Sequence, residues 1–490
     1  MIRGFMRNAG IMAGAEVIAR LKGVLILPLL TRYLGALDFG VWSQVSMVVL
    51  TLSPLVSLGT ESGLIRILPG QPPQRQYSQF LAWVLLVLAG SAGFAALIEL
   101  GGGTFSRLFF ASTDYSEYMT LAAASLFAGI LPNVPRVWFR LQNAGAMLAL
   151  ATILQALLGI AAILAAVLMQ SDLYRVILFS LIADLALGIG FLGWILFRFG
   201  WAKPDFSIIP SALKFGLPLL PAAYAMWGLN WMDRLFLVQY QTLRDIGIYA
   251  AAYGLGYTII QVFVNPIWAL YPNSISQLHN QNDHSGADRL LHTTIWTILL
   301  FSLPAITGLW ALGDPIMTII AGPDFRPGAD VMWIIALAYL LLMLASFGDV
   351  ALGLAYRQYL ATASITLAVA VNLVLNLVLI PSFGIIGAAL ATFGAFATQL
   401  VFSGVMAARF GPFLSEWRFM IRIILTSVAM GLVVKALDSY LGLSDAARLA
   451  LLVPVGAATY AVLIFVLRAI PQPLLVHMRT WVIARTRRSA

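Results

Sequence analysis

Long apolar stretches separated by short polar breaks recur along almost the whole chain. They fall at about 9–30, 39–60, 78–100, 118–138, 145–169, 173–197, 212–232, 246–272, 291–312, 329–355, 359–380, 384–408, 418–437 and 447–469. Each approximates the ~20 residues that a helix needs to cross a ~30 Å hydrocarbon slab. Membrane strands would instead alternate apolar and polar positions over ~10 residues, and backbone groups in lipid must be satisfied within their own segment. The pattern therefore predicts an all-α polytopic membrane protein with about 14 transmembrane helices. The breaks between them are too short for a further folded domain, which takes ~50 residues or more.

Composition agrees: the chain is 61% hydrophobic and 10% charged, with a mean hydropathy of +0.91, against about a quarter charged in soluble domains. An even number of spans puts both termini on one side. With span ends counted, that side carries 19 Lys and Arg, Arg136, Arg140, Arg418, Arg422, Arg485 and Arg487 among them, against eight on the other; acids run five against twelve. The positive-inside rule makes both termini cytoplasmic. The formal charge of +9 is scattered over short loops and a tail, where it meets an anionic leaflet, and does not point to nucleic acid. Without cysteine there is no disulfide, thiolate metal site or cysteine nucleophile. The first apolar segment carries charge and lacks a small-residue cleavage site, so it is expected to remain as the first helix.

A shift of 207 residues lays Tyr33, Asp38, Gly40 and Trp42 on Tyr240, Asp245, Gly247 and Tyr249. A looser echo, at an offset near 214, pairs Arg140-Leu141-Gln142-Asn143 with Tyr356-Arg357-Gln358. Six spans then repeat six, in the same orientation, with two added. Two such lobes suit alternating access about a central cavity. Asp38 and Asp245 read as helix N-caps, Gly40 and Gly247 as sites of close packing, and the small residues of Gly384-Ile385-Ile386-Gly387-Ala388-Ala389 as a helix contact. Pro28, Pro54, Pro218, Pro221, Pro266 and Pro304 are expected to kink their helices.

Several chemistries are excluded by what is missing. The four lysines, Lys22, Lys203, Lys214 and Lys435, never follow glycine, so there is no phosphate-binding loop for ATP. His279, His284, His292 and His477 form no HExxH zinc motif. No Asp-x-Asp pair and no large external loop offers carboxylates for glycosyl transfer, so the chain reads as no enzyme.

What remains is charge inside the membrane. Glu16, Arg20 and Lys22 lie near the middle of the first span, too deep to snorkel, and such groups face protein or water. Glu16 and Arg20, four apart, can form an ion pair, whereas Lys22 points about 200° away from Arg20. At the 207 offset, Ala223, Trp227 and Leu229 stand opposite these three, Gln239 opposite Arg32, and Trp268 and Asn273 opposite Glu61 and Arg66. One lobe is basic where the other is aromatic or neutral. A cationic half and an aromatic half suit an amphiphile with a diphosphate head and sugars. Candidate substrate-binding residues are Arg20, Lys22, Arg32, Arg66, Glu16 and Trp227, with Arg136 and Arg140 as gating or head-group entry residues. Asp184 and Asp349 are candidate ion-coupling acids, or neutralise a base. Asp233 and Arg234, near a span end, are expected to be solvated.

Arg32-Tyr33-Leu34-Gly35 with Asp38-Phe39-Gly40, Asp245-Ile246-Gly247-Ile248-Tyr249, Gly322-Pro323-Asp324-Phe325 and Pro381-Ser382-Phe383-Gly384-Ile385-Ile386-Gly387-Ala388-Ala389-Leu390-Ala391-Thr392 together resemble the bacterial polysaccharide-repeat flippases of the O-antigen type. The likeness covers about residues 5–410. It implies the multidrug/oligosaccharidyl-lipid/polysaccharide (MOP) exporter superfamily, with two six-helix lobes in a V and a basic central cavity. It also implies transfer of an undecaprenyl-diphosphate-linked oligosaccharide to the outer leaflet of the bacterial cytoplasmic membrane, driven by an ion gradient or the membrane potential. Expected divisions are a first lobe at 1–203, a second at 204–412, and spans 13 and 14 with a basic tail at 413–490. Fourteen spans are closer to the lipid II flippase arrangement than to the twelve of many members; the added pair forms a lipid-tail groove or a packing surface. Expected partners are the lipid-linked oligosaccharide, membrane lipids, a coupling H+ or Na+ and polysaccharide polymerase machinery, with no cofactor, metal or nucleic acid. The alternatives are a drug/cation antiporter of the same fold, which would want an acidic cavity, and a polymerase or ligase, which would need a catalytic external loop.

Overall fold

A computed structural model describes residues 2–410 and 417–467; the side chains of 2–13, 16–18, 20, 21, 24 and 417 lie outside the described residues. Helix dominates, and twelve stretches among the described residues are long and apolar enough to cross a membrane. The chain divides into two compact units, Met1–Gly247 and Ile248–Ala490.

The first unit holds α1 (Ile2–Ser57), α2 (Thr60–Ile67), α3 (Pro73–Leu100), α4 (Gly102–Phe110), α5 (Ser116–Ile130), α6 (Asn133–Leu141), α7 (Gly145–Leu168), α8 (Leu173–Phe199), α9 (Ile209–Gly216), α10 (Leu220–Trp231) and α11 (Asp233–Tyr240). Next comes α12 (Leu243–Trp268), whose first turn still belongs to this unit. The second unit continues with α13 (Tyr271–Asn280), α14 (His284–Ile320), α15 (Ala329–Leu354), α16 (Gln358–Ala407), α17 (Trp417–Tyr440) and α18 (Asp445–Val466).

Two of the helices are too long for one crossing. At ~1.5 Å per residue, α1 with 56 residues and α16 with 50 would each far exceed a ~30 Å slab. Each is interrupted at a glycine with positive φ, Gly35 at 73° and Gly384 at 56°. At Gly384 the chain turns back on itself: a Cβ on Gly387 would collide with the Leu379 carbonyl, and the Ser364 and Ser403 hydroxyls meet at 2.8 Å. Counting α1 and α16 twice turns the twelve stretches into fourteen crossings. The breaks thus fall at glycines, and at Leu312 in α14, three residues before Pro315. That break follows from Pro315, whose ring clashes with the carbonyl four residues back and which lacks the N–H that would close the turn. Pro28, Pro54, Pro266 and Pro304 lie inside helices that stay helical around them.

The matched residues of the duplication make a reciprocal contact. A Cβ on Gly40 would strike the Leu243 carbonyl oxygen, and one on Gly247 would strike that of Ala36. Leu243 and Gly247 are the 207-residue counterparts of Ala36 and Gly40, so this contact is self-complementary in the manner of a twofold interface. The capping differs from the sequence expectation. Thr242, not Asp245, stands at the cap of α12: its hydroxyl accepts from the Asp245 N–H at 3.2 Å and donates to the Asp245 carboxylate at 2.6 Å. Asp245 is the returning member of a capping box, and Asp38 lies three residues past the Gly35 break, in the first turn of the second half of α1.

In the second unit, α17 and α18 pack on α14 through Ala311, Leu312, Val434 and Leu452, all buried. The Tyr460 hydroxyl donates to the Leu300 carbonyl at 2.8 Å, and the Lys435 ammonium sits 4.2 Å from the Trp310 ring centre. The last two helices are thereby fixed to this unit.

Candidate functional site: a basic cavity in the first unit

Leu131-Pro132 and Pro135 separate α6 from α5, because Pro135 cannot donate to the carbonyl of Leu131. The short helix that results has two unlike faces. Val134, Val137 and Trp138 are buried, while Arg136 and Arg140, four residues apart, share the other side. Helix α7 returns antiparallel and offers Thr152, Gln155 and Ala156 along one stripe. Helix α1 packs on α7 and contributes Ala19 and Lys22. These residues line a cavity of ≈ 350 Å³.

Three cations from two helices thus converge on one space. Gly159 on α7 makes room for the deepest: a Cβ there would lie 2.5 Å from the Lys22 Nζ. Arg136 donates to the Asn133 amide oxygen at 3.2 Å and to the Gln155 amide oxygen at 2.5 Å. Gln155 in turn donates through Nε2 to the Asp184 carboxylate at 3.2 Å. Asp184, on α8, lies within the electrostatic reach of both Lys22 and Arg136. Arg140 pairs with Glu61 on α2 at 2.7 Å. The cluster is therefore a basic cradle with one guanidinium held flat by two amide oxygens. It presents an ammonium and a planar fork side by side, the donors that match phosphate oxygens.

The sequence candidates distribute unevenly about this cavity. Lys22, Arg136 and Arg140 line it, and Asp184 joins them through Gln155. Arg136 and Arg140, singled out as entry residues, share one space with the proposed head-group ligand Lys22. The side chains of Glu16 and Arg20 lie outside the described residues. Arg32, exposed just before the Gly35 kink, is not part of the lining. Arg66 is exposed too and lies over the Phe215 ring at 5.2 Å. Trp227, on α10, stands edge-on to Tyr224 at 6.1 Å, and its buried indole N–H has no partner among the described residues. Tyr224 fixes this helix to α1 by donating to the Thr51 carbonyl at 2.7 Å.

Asp349 is tied into its own unit. It accepts from Ser403 Oγ at 2.5 Å and Gln399 Nε2 at 3.2 Å, and Ser403 touches Ser364. Asp233 and Arg234 correct the sequence reading: both are 3% exposed and paired at 3.3 Å, so they are not solvated. Met232, between α10 and α11, keeps helical φ and ψ, and the Trp231 ring lies 4.4 Å from the guanidinium of Arg234. Gln155 and Glu61 were not recognised as site residues. A neutral amide in an apolar helix carries no pattern, although its stretch, Thr152 to Gly159, is the most polar part of α7. Among the described residues no three His, Asp or Glu side chains are grouped to hold a metal.

The chain matches the model of the polysaccharide biosynthesis protein family over residues 29–330. It belongs to that family. Among curated proteins it is similar to a probable low-salt glycan biosynthesis flippase, Agl15 of Haloferax volcanii, 27% identical over 41% of this chain and 42% of that one. An uncharacterized membrane protein of Methanocaldococcus jannaschii is also 27% identical, over 41% of this chain and 40% of its own. The matched part thus spans less than half the length of either relative. Among solved structures, the lipid II flippase MurJ in an inward closed conformation superposes with a TM-score of 0.76 at 15% identity, over 92% of this chain and 97% of that one. An inward-facing multidrug resistance MATE transporter gives 0.57 at 12% identity, over 81% and 93%. These two share their overall helical fold with this chain.

Proposed function

We propose that this polysaccharide biosynthesis family member flips a polyprenyl-diphosphate-linked oligosaccharide, with undecaprenyl as the carrier, from the cytoplasmic to the outer leaflet of a bacterial cytoplasmic membrane for cell-surface polysaccharide export. The observation that carries the reading is the convergence of Lys22, Arg136 and Arg140 on one ≈ 350 Å³ cavity. Lys22 and Arg136 take the diphosphate; Arg140, paired with Glu61, exchanges that carboxylate for phosphate as the head group enters. Trp227, with its unpartnered indole N–H, is a sugar contact. Arg20 and Glu16, two and six residues before Lys22 in the sequence, are further candidate contacts, and Arg32 and Arg66 guide approach.

Transport proceeds by alternating access of the two six-helix repeats, 1–203 and 204–412, with both termini cytoplasmic. Asp184 acts as the neutralising partner of the bases. Asp349, ringed by Ser403, Gln399 and Ser364, is the better candidate for the coupling H+ or Na+. A drug/cation antiporter would bring its cation against three bases, which disfavours it. The protein works as a transporter, not as an enzyme, and hands its cargo to polymerase machinery.

Deleting the gene should trap the lipid-linked oligosaccharide in the inner leaflet, as read by leaflet-specific labelling. Wild type should restore delivery and a Lys22→Ala/Arg136→Ala double variant should not. Normal outer-leaflet delivery in the deletion strain, or full rescue by the double variant, would overturn the reading.

A further inference from the structure

The two repeats differ at one place in a way that leaves a cavity in the second. In the first unit, Tyr77, Phe80, Trp138 and Phe199 fill the junction between the start of α3 and the ends of α6 and α8. Their rings meet at 4.9 Å for Phe80 and Trp138, 5.3 Å for Tyr77 and Trp138, and 5.4 Å for Trp138 and Phe199. The Tyr77 hydroxyl is satisfied by the Gly200 carbonyl at 2.7 Å.

The helix ends supply the correspondence. An offset of 211 takes Pro73, which opens α3, onto His284, which opens α14, and one of 213 takes Leu141, which ends α6, onto Leu354, which ends α15. The same 213 carries Asn143 onto Tyr356, both with positive φ. At these offsets Tyr77 becomes Asp288, Phe80 becomes Leu291 and Trp138 becomes Ala351, and the ends of α8 and α16 set Phe199 against Ala407. All four rings are gone. All four replacements line one cavity of ≈ 290 Å³, together with Tyr271, His279 and His284.

Its polar groups are unspent. Tyr271 is 4% exposed and lines the cavity, yet its hydroxyl makes no hydrogen bond to any described residue. Asp288, half-buried, has no hydrogen bond or ion pair among the described residues. A hydroxyl and a carboxylate that face one apolar-floored space offer two hydrogen-bond acceptors, one of them charged, to an occupant. The cavity lies where α13, α15 and α16 end and α14 begins, at the ends of stretches long and apolar enough to cross a membrane.

We propose that this cavity binds the head group of a zwitterionic phospholipid that carries a primary ammonium. The ammonium donates to the Asp288 carboxylate and the Tyr271 oxygen. Imidazole N–H groups of His279 and His284 at the rim take the phosphate, and Leu291, Ala351 and Phe410 take the glycerol and first acyl carbons. An anionic head group would meet Asp288 with its like charge. A trimethylammonium head group has no N–H to give.

The test is lipid retention by the purified full chain in mixed micelles of dioleoyl phosphatidylethanolamine, phosphatidylcholine or phosphatidylglycerol at equal mole fraction, read by native mass spectrometry. Wild type should retain the ethanolamine lipid about tenfold over the choline lipid, the size of one charge-assisted hydrogen bond. The isosteric Asp288→Asn should bring the ratio to near one, and so should Ala351→Trp, which restores the ring that α6 carries. Equal retention of ethanolamine and choline lipids, preference for the glycerol lipid, or an ethanolamine preference that survives Asp288→Asn would each overturn the proposal.

Discussion

Gln155→Leu removes a residue that no charge pattern flags, and it tests how the basic cavity is organised. Leucine keeps most of the volume but deletes the acceptor for Arg136 and the donor to Asp184. Each bond involves a charged group and is worth ~1.5–3 kcal/mol net. The cavity of ≈ 350 Å³ has room for water, and bridging water recovers much of that, which leaves a loss of about 1–2 kcal/mol, a factor of ~5–30 in head-group binding. Gln155→Glu separates the possible cargoes. It keeps the acceptor for Arg136 but adds a carboxylate beside Asp184. At ~6 Å from a bound diphosphate and an effective dielectric constant near 20, such a charge opposes binding by about 2–3 kcal/mol. For an anionic cargo, Gln155→Glu should therefore be worse than Gln155→Leu, and for a cationic cargo the order reverses. The assay is the initial rate of head-group transfer at sub-saturating substrate, with thermal unfolding as a control for folding. Wild-type rates in both variants would refute the claim that Gln155 sets Arg136 for the substrate.

Three further outcomes are expected. Gly40→Ala and Gly247→Ala drive a methyl into a backbone carbonyl and should each cost about 1–3 kcal/mol, whereas Gly353→Ala, with open space around it, should be neutral or mildly stabilising in thermal unfolding. Asp349→Ala strips Ser403 and Gln399 of a shared acceptor and should lower stability by ~1–3 kcal/mol, while Asp349→Asn should spare stability and lose any dependence of transport on the imposed ion gradient. Hydrogen bonds from Ser207, joined by Gln79 and the nearby Arg75, hold the Asp205 carboxyl below the ordinary carboxylate range. Its contribution is present above the unfolded value of 3.8 and is lost as pH falls from there through the lower folded value, so proteolysis of the 200–205 loop should accelerate only as pH falls below 3.8.

The spans were legible because each crossing needs about the same length of unbroken apolar chain, and a short polar interruption, Arg32 to Asp38 at the Gly35 break and Pro381-Ser382 at the Gly384 break, marks each of the two divided helices. The reciprocal Gly40 and Gly247 contact could be foreseen from the matched positions, since only residues without a Cβ tolerate it. Lys22, Arg136 and Arg140 announced themselves as charge in or beside apolar segments. Gln155 did not, because its role depends on α7 facing α1 and α6, a tertiary fact. The burial of Asp233 and Arg234 was not legible because proximity to a span end says nothing about whether two neighbouring opposite charges pair under a ring such as Trp231. The lost rings at Asp288, Leu291 and Ala351 were invisible until the helix ends showed that the offset drifts from 207 to 211 and 213.

The central claim is tested most directly in liposomes that hold only this protein and a fluorescent polyprenyl-diphosphate oligosaccharide in a known leaflet. The account predicts leaflet exchange with wild type that is at least tenfold slower with Lys22→Ala/Arg136→Ala, and inhibition by the unlabelled diphosphate lipid but not by its neutral alcohol. Exchange that is unaffected by the double variant and equally inhibited by the neutral lipid would contradict it.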